Sequence, residues 1–292
     1  MLECVPNVSE GRRHDVVDRI SAAGADCLLD VHVDADHNRS VFTLVGDDAE
    51  GIESCVTQMA YVVARHADDS WHEGVHPRIG ALDVVPFVAL SGTADERALA
   101  TRTAHEFARW LADTLDVPAF LYGDADPEGR SLPSLRRDVF VRRAPDFGPA
   151  EPHPKLGATA VGARPALVAV NCVLDTGDVE LAQRVAHHVR ERGGGLPGVR
   201  ALGFELASRR QAQVSMNVTA LSATGAEQAC SEVRRLARAE GVEVVEVELV
   251  GLLPRAELAR WSTEFRHWAG FTDDQTIEGR LASHSSGRNP VL

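Results

Sequence analysis

Two rhythms of apolar and polar residues run along the chain, one with a period near two and one with an apolar position every three or four residues. Leu2–Val5 reads as a strand and residues 6–11 as a loop. Residues 12–23 read as a helix carrying Val16, Val17 and Ile20 on one face. Strands at 27–33 and 40–45 flank the turn Asp34-Ala35-Asp36-His37-Asn38, and so short a connection predicts antiparallel pairing. A helix at 49–67, a strand at 81–89, a helix at 94–115 and a strand at 118–122 follow. From Gly123 to Pro154 glycine, proline, aspartate and arginine dominate, which predicts a long functional loop or connector.

Regular patterning resumes with a strand at 166–174 and a helix at 178–192, which Gly193–Gly198 ends. Strands at 199–206 and 212–219, a helix at 224–240, a strand at 242–249 and a short helix from Pro254 complete the chain. This second series has the β-α-β-β-α-β order of a ferredoxin-like unit. The first half reads as an elaborated version of the same topology, without sequence repetition. The expected fold class is therefore α+β, with two ferredoxin-like (split β-α-β) lobes over residues 1–176 and 177–292 and a substrate cleft between them.

Composition narrows the classes. A chain of 292 residues with 44% hydrophobic and 25% charged residues suits a globular protein with sizeable cores. No apolar run approaches a membrane span and no basic-then-apolar leader opens the sequence, so the expected setting is cytoplasmic, with no membrane partner. The five cysteines are odd in number and scattered, which reads as reduced thiols. A net charge of −13 argues against a nucleic-acid partner and requires a local positive cluster wherever an anion is held. Lys155 is the sole lysine among 30 basic residues, so the rigid guanidinium fork is the available cation.

Residues 71–87 admit two incompatible chemistries. His72-Glu73-Gly74-Val75-His76 fits the H-E-x-x-H pattern of zinc hydrolases, which needs both imidazoles on one helix face. Pro77 pushes His76 out of helical geometry, Gly74 weakens a helix, and no third ligand follows, so no metal is expected. The alternative is a histidine presented by a Pro/Gly-rich turn, with an ordinary pKa suited to moving protons either way. Asp36, His37, Asn38 and Arg39 crowd one turn and could position a substrate and orient His76, although Asp and Asn also serve turns for their own sake. Arg39 and Arg78 are candidate carboxylate forks. The small residues of 146–149 and 157–164 would let backbone amides approach a flat ligand, or simply close a loop.

Several of these segments together resemble one family. Glu3-Cys4-Val5-Pro6-Asn7-Val8-Ser9-Glu10-Gly11, Asp36-His37-Asn38-Arg39-Ser40-Val41 and His76-Pro77-Arg78-Ile79-Gly80-Ala81-Leu82-Asp83 resemble motifs of the glutamate formiminotransferases, in family order. Leu121-Tyr122-Gly123, 146–149, 157–164, Gln213–Asn217 and Leu249–Pro254 extend the resemblance over nearly the whole chain. It implies two ferredoxin-like lobes, a homodimer, and transfer of a formimino group from N-formimino-L-glutamate to N5 of the co-substrate tetrahydrofolate. It places the catalytic histidine at His76 and the folate-contacting segment at Gly148, Pro149 and on to Gly157. Arg39, Arg78 and Arg164 are then plausible carboxylate anchors, with Asp36, His37, Asn38 and Asn217 as further substrate contacts. A separate cyclodeaminase protein is expected to act downstream.

Three positions depart from the family pattern: Val75 replaces an acidic residue before His76, the connector from Leu135 to Asp146 is short, and Lys155 is unusual in its segment. Two rival expectations follow within folate chemistry, namely another formimino or formyl donor and a non-catalytic folate-binding protein. A zinc hydrolase through His72 and His76 is the rival outside it.

Overall fold

The computed structural model describes residues 1–67 and 73–287, which divide into two compact units, Met1–Pro165 and Ala166–Leu292. The fold is mixed α/β with a sheet in each unit. No helix among the described residues is long and apolar enough to cross a membrane.

In the first unit, β1 (Leu2–Cys4) and β2 (Asn7–Val8) are two pieces of one interrupted strand between β4 (Arg39–Gly46) and β5 (Leu82–Ala89). Pro6 has no N–H to give a ladder, and the interruption falls there. β3 (Leu28–Asp34) pairs antiparallel with β4, as the short turn between them predicts. β5 continues in parallel to β7 (Thr159–Arg164), and β7 to β6 (Ala119–Gly123). The seven-stranded sheet thus has the order β1-β4-β2-β5-β7-β6, with β3 on β4.

Three helices build the main core of this unit. α1 (His14–Ala23) buries Val16, Val17 and Ile20. α2 (Ala49–His66) starts at Asp48, whose carboxylate accepts the Gly51 N–H, and buries Ile52, Val56, Met59 and Val63. α3 (Ala94–Leu115) starts at Thr93, ends at Asp116 in left-handed geometry, and buries Ala100, Ala104, Phe107, Ala108 and Leu111. A smaller cluster of Val84, Phe120, Tyr122, Leu135, Ala158 and Ala160 is closed by Leu132, Val139 and Phe140.

Three sequence expectations fail in this unit. The connector after Gly123 contains a helix, α4 (Leu132–Asp138), whose wholly buried Leu135 holds it in that smaller cluster. Residues 159–164, expected to approach a ligand or to close a loop, are β7, an interior strand between β5 and the edge strand β6. Its small side chains leave room for neighbours, and a methyl at Gly162 would run into the Tyr122 ring. Cys27 and Cys55, expected as reduced thiols, form a disulfide, because the fold brings together Cys27, just before β3, and Cys55 of α2, 28 residues apart in sequence. Cys4, Cys172 and Cys230 are free and buried.

The second unit follows its predicted order: β8 (Val168–Leu174), α5 (Val179–Val189), β9 (Val199–Leu206), β10 (Gln211–Val218), α6 (Ala226–Ala239) and β11 (Val244–Val250). The sheet order is β11-β8-β10-β9 with every neighbour antiparallel. α5 and α6 share a core with alternate residues of the strands, among them Val170, Cys172, Val214 and Met216. The N-terminus of α6 has no cap of its own. The buried Glu257 carboxylate of α7 (Arg255–Arg260) accepts the Ala226 N–H at 2.7 Å and the Trp261 indole N–H at 3.0 Å. α8 (Thr263–Ala269) and α9 (Ile277–Gly287) complete the described chain beyond the predicted elements.

Phe107 is wholly buried, edge-on to Phe87 at 6.0 Å and tilted against Trp110 at 5.6 Å. Phe107→Ala is expected to cost about 3–5 kcal/mol of unfolding free energy, read from the urea midpoint at unchanged slope.

Candidate active site

Four segments distant in sequence meet at the amino ends of β4, β5 and β7. Ser9 donates its N–H to the Ala81 carbonyl and its hydroxyl to the Gly80 carbonyl, both at 2.8 Å. Ala81 donates to the Leu156 carbonyl at 2.9 Å, and Ala158 to the Ile79 carbonyl at 2.9 Å. The 76–83 segment therefore lies between the opening motif and the end of the expected folate segment. Gly80 and Gly157 face each other in this pairing, and Gly157 has φ +66°. A methyl on Gly80 would overlap the carbonyl oxygens of Leu156 and Ala158. Only glycine allows so close an approach of the two backbones.

The 34–39 turn joins the same place. Asn38 sits in left-handed geometry at φ 48°; its side-chain oxygen accepts the Gly11 N–H at 2.9 Å and its amide donates to the Glu73 carbonyl at 3.0 Å. The Asp36 carbonyl faces the Val75 N–H at 3.5 Å. His37 is buried, its N–H donates to Asp34 Oδ1 at 2.8 Å, and its ring centroid lies 5.8 Å from that of His76. The turn thus presents one imidazole to another.

Beneath them is a buried ionic knot. Asp83 is wholly buried and accepts from Arg39 Nη1 at 2.8 Å, from the Ile79 N–H at 2.7 Å, and from Arg136 Nη2. Arg39 spends its Nε and Nη2 on the Asn7 side-chain oxygen, at 3.1 and 2.9 Å. Asp83 and Asn7 thereby tie the starts of β4 and β5 to the opening motif, and α4 supplies the second arginine.

His76 lies in the turn before β5, with Nδ1 2.8 Å from the Pro77 carbonyl. A carbonyl can only accept, so Nδ1 carries the proton and Nε2 the lone pair. Burial holds the His76 pKa well below its ordinary 6.5; Arg39, Arg136 and His37 push the same way, and the Pro77 carbonyl opposes them. The ring is neutral at neutral pH, the state of a base. α2 ends at His66, and residues 73–79 form no helix. His72, the other histidine of the H-E-x-x-H pattern, lies outside the described residues.

The segment expected to contact folate is held by internal contacts of its own. Phe147 exchanges N–H and carbonyl bonds with Ala119, and its ring stands between His105 and the Arg109 guanidinium, which lies 5.1 Å from the ring centroid. Asp146 accepts the Leu121 N–H and two bonds from Arg143, which also reaches Asp126. Asp126 is desolvated, which would raise its pKa. Hydrogen bonds from Arg130, the Glu128 N–H and Arg143 outweigh this and hold it well below the carboxylate range. Gly148 is exposed at φ +87° and Pro149 half-buried. His153 and Gly157 pair N–H to carbonyl in both directions, and His153 Nδ1 accepts the Lys155 and Leu156 N–H groups.

Sequence-predicted residues outside the cluster are also placed. Arg78 is half-buried in the turn after Pro77. Arg164 ends β7 opposite Val88, at the far end of the parallel ladder from the His76 turn, and its Nη1 donates to the Pro165 carbonyl at 3.0 Å. Asn217 is exposed on β10 of the second unit. Sequence reasoning missed Asp83, Arg136, Asn7 and His153 as contributors. Asp83 and Asn7 stood inside quoted motifs, but Arg136 lay in a stretch expected to be irregular.

Comparison with known proteins matches residues 1–164 to the N-terminal subdomain of the formiminotransferase domain and residues 169–273 to the formiminotransferase domain. A glutamate formimidoyltransferase of Streptococcus pyogenes is 37% identical over 273 residues, covering 88% of this chain and 90% of that protein. One from Thermoplasma acidophilum is 35% identical over 298 aligned residues, covering 96% and 97%. The formimidoyltransferase-cyclodeaminase of Sus scrofa is 40% identical over 276 residues, covering 87% of this chain and 50% of that longer protein.

Two outcomes follow from the geometry. Below the unfolded-state pKa near 6.5 the unfolded chain takes up a proton that folded His76 refuses, so acidification costs stability until the folded pKa is reached. His76→Gln should therefore lose less stability than the parent between about pH 7 and 5 in urea titrations. Parallel losses would mean that the ring is not held neutral. Gly80→Ala should cost about 1–3 kcal/mol and weaken binding of 5-formyltetrahydrofolate, measured by calorimetry, because it separates residues 79–81 from 156–158.

Proposed function

This chain belongs to the formiminotransferase domain family, and we propose that His76 is the acid/base through which it moves a formimino group from N-formimino-L-glutamate to N5 of tetrahydrofolate. The observation that carries this role is the placement of the His76 ring, with Nδ1 2.8 Å from the Pro77 carbonyl, in the turn that four motifs converge upon; burial disfavours its charged form there. Attack of N5 on the amidine carbon makes one C–N bond, and departure of the glutamate nitrogen breaks another. N5 must lose a proton and the departing nitrogen must gain one. Nε2 of His76 takes the first proton and delivers it to the second site, so the ring ends the cycle as it began. Holding both substrates against the ring supplies the remaining advantage.

His37 and Asn38 act by position: one packs toward His76, and the other ties Gly11 to Glu73. We assign the folate ring system to the segment from Gly148 to Gly157, whose Leu156 carbonyl accepts the Ala81 N–H beside the His76 turn. The order and antiparallel pairing of the second unit's sheet support reading that unit as a ferredoxin-like split β-α-β fold.

Turnover of N-formimino-L-glutamate with tetrahydrofolate, followed as 5-formiminotetrahydrofolate, tests the assignment. The parent should form product, and His76→Ala should lower kcat by about 10²–10⁴-fold while still binding 5-formyltetrahydrofolate. Comparable kcat in the two proteins would remove His76 from the chemistry. A folded, folate-binding parent without product would redirect the search to other one-carbon donors.

A further inference from the structure

The knot beneath His76 does not balance. Among the described residues two guanidiniums, Arg39 and Arg136, share the single carboxylate of Asp83, which leaves one positive charge in excess in a largely buried place. The arginines are not equivalent. Arg39 has its Nε, Nη1 and Nη2 engaged by Asn7 and Asp83 and is buried. Among the described residues Arg136 touches Asp83 through Nη2 alone; its side chain is 17% exposed, and its buried Nε has no hydrogen-bond partner there. A buried N–H with no acceptor costs stability that a ligand oxygen would recover. α4 fixes this fork rigidly, since the adjacent Leu135 is wholly buried.

We infer that Arg136 binds the α-carboxylate of the formimino donor, an inference that rests on the transfer reading above. The chemistry of the two substrates selects between their carboxylates. In N-formimino-L-glutamate the α-carboxyl carbon is bonded to the carbon that bears the departing nitrogen. A group that protonates that nitrogen must therefore have the carboxylate beside it. The carboxylates of the folate tail are separated from N5 by an aromatic ring and an amide and lie far from the reacting atoms. Asp83 bridges the two ends of the arrangement, because the carboxylate that holds Arg136 also accepts the Ile79 N–H, three residues from His76. Arg136 thus sets the register of the donor against the ring, while Arg39 holds the scaffold.

Arg136→Gln tests this, with Asp83 still paired to Arg39. The variant should raise KM for N-formimino-L-glutamate about 10- to 100-fold and leave KM for tetrahydrofolate and calorimetric binding of 5-formyltetrahydrofolate within about twofold. Arg136→Lys should recover part of the loss, because it restores the charge without the fork. In calorimetry the parent should bind L-glutamate but not its α-amide, and Arg136→Gln should bind neither. An unchanged donor KM, or equal weakening of donor and folate, would overturn the anchor. A parent that binds L-glutamate through Arg136 yet never turns over N-formimino-L-glutamate would overturn the transfer reading and keep the anchor.

Discussion

Asp83 is the constraint on which the site depends. Its carboxylate is wholly removed from water and is held by two guanidiniums and the Ile79 N–H. Removing one partner from a buried ion pair costs more than the pair contributes over an apolar replacement. Such a knot is therefore better understood as a fixer of geometry than as a source of stability. It joins the start of β4 through Arg39, the turn before β5 through Ile79, and α4 through Arg136, while Arg39 carries the tie on to Asn7 of the opening motif. The Ile79 end of the His76 turn is held from below, because Asp83 cannot shift without stranding a charge.

The regular part of the fold was legible in the sequence because it obeys periodicity. α3 runs from Ala94 to Leu115, the predicted span, with buried positions at the helical spacing and capping residues at both ends. The second unit's strands and helices likewise stand in their predicted order. β7 was not legible because an interior strand lined by other elements need not alternate. Its Thr-Ala-Val-Gly-Ala-Arg run is small because the Tyr122 ring and the parallel neighbours occupy the space. α4 was hidden because a short helix between prolines and arginines is stabilised by one buried leucine and not by a periodic face.

The same limit applies to the site. His76, His37, Asn38 and Arg39 could be named from sequence because each stands in a motif, and the structure gathers them at one end of the sheet. Their electrostatics could not. The pairing of Asp83 with Arg136 spans 53 residues and depends on where α4 lies, which no local pattern encodes. Arg39 shows the cost of that blindness: as a sequence element it looked like an open fork, whereas in the fold its nitrogens are already committed to Asn7 and Asp83.

A chain of net charge −13 that concentrates two arginines beneath a neutral histidine solves two problems with one arrangement. Opposing the overall field, the knot offers the local positive charge that an anionic substrate requires. With burial as the larger cause, its two arginines also disfavour a second proton on the His76 ring, which leaves that ring neutral. A carboxylate bound at Arg136 would cancel part of that pressure, raising the affinity of Nε2 for a proton at the moment the donor arrives. By linkage the two events favour each other, since protonating the ring also favours the bound anion. The base is thus strengthened only when there is a proton for it to take. A buried aspartate with one arginine would not do this, because its charge would already be balanced before the substrate entered.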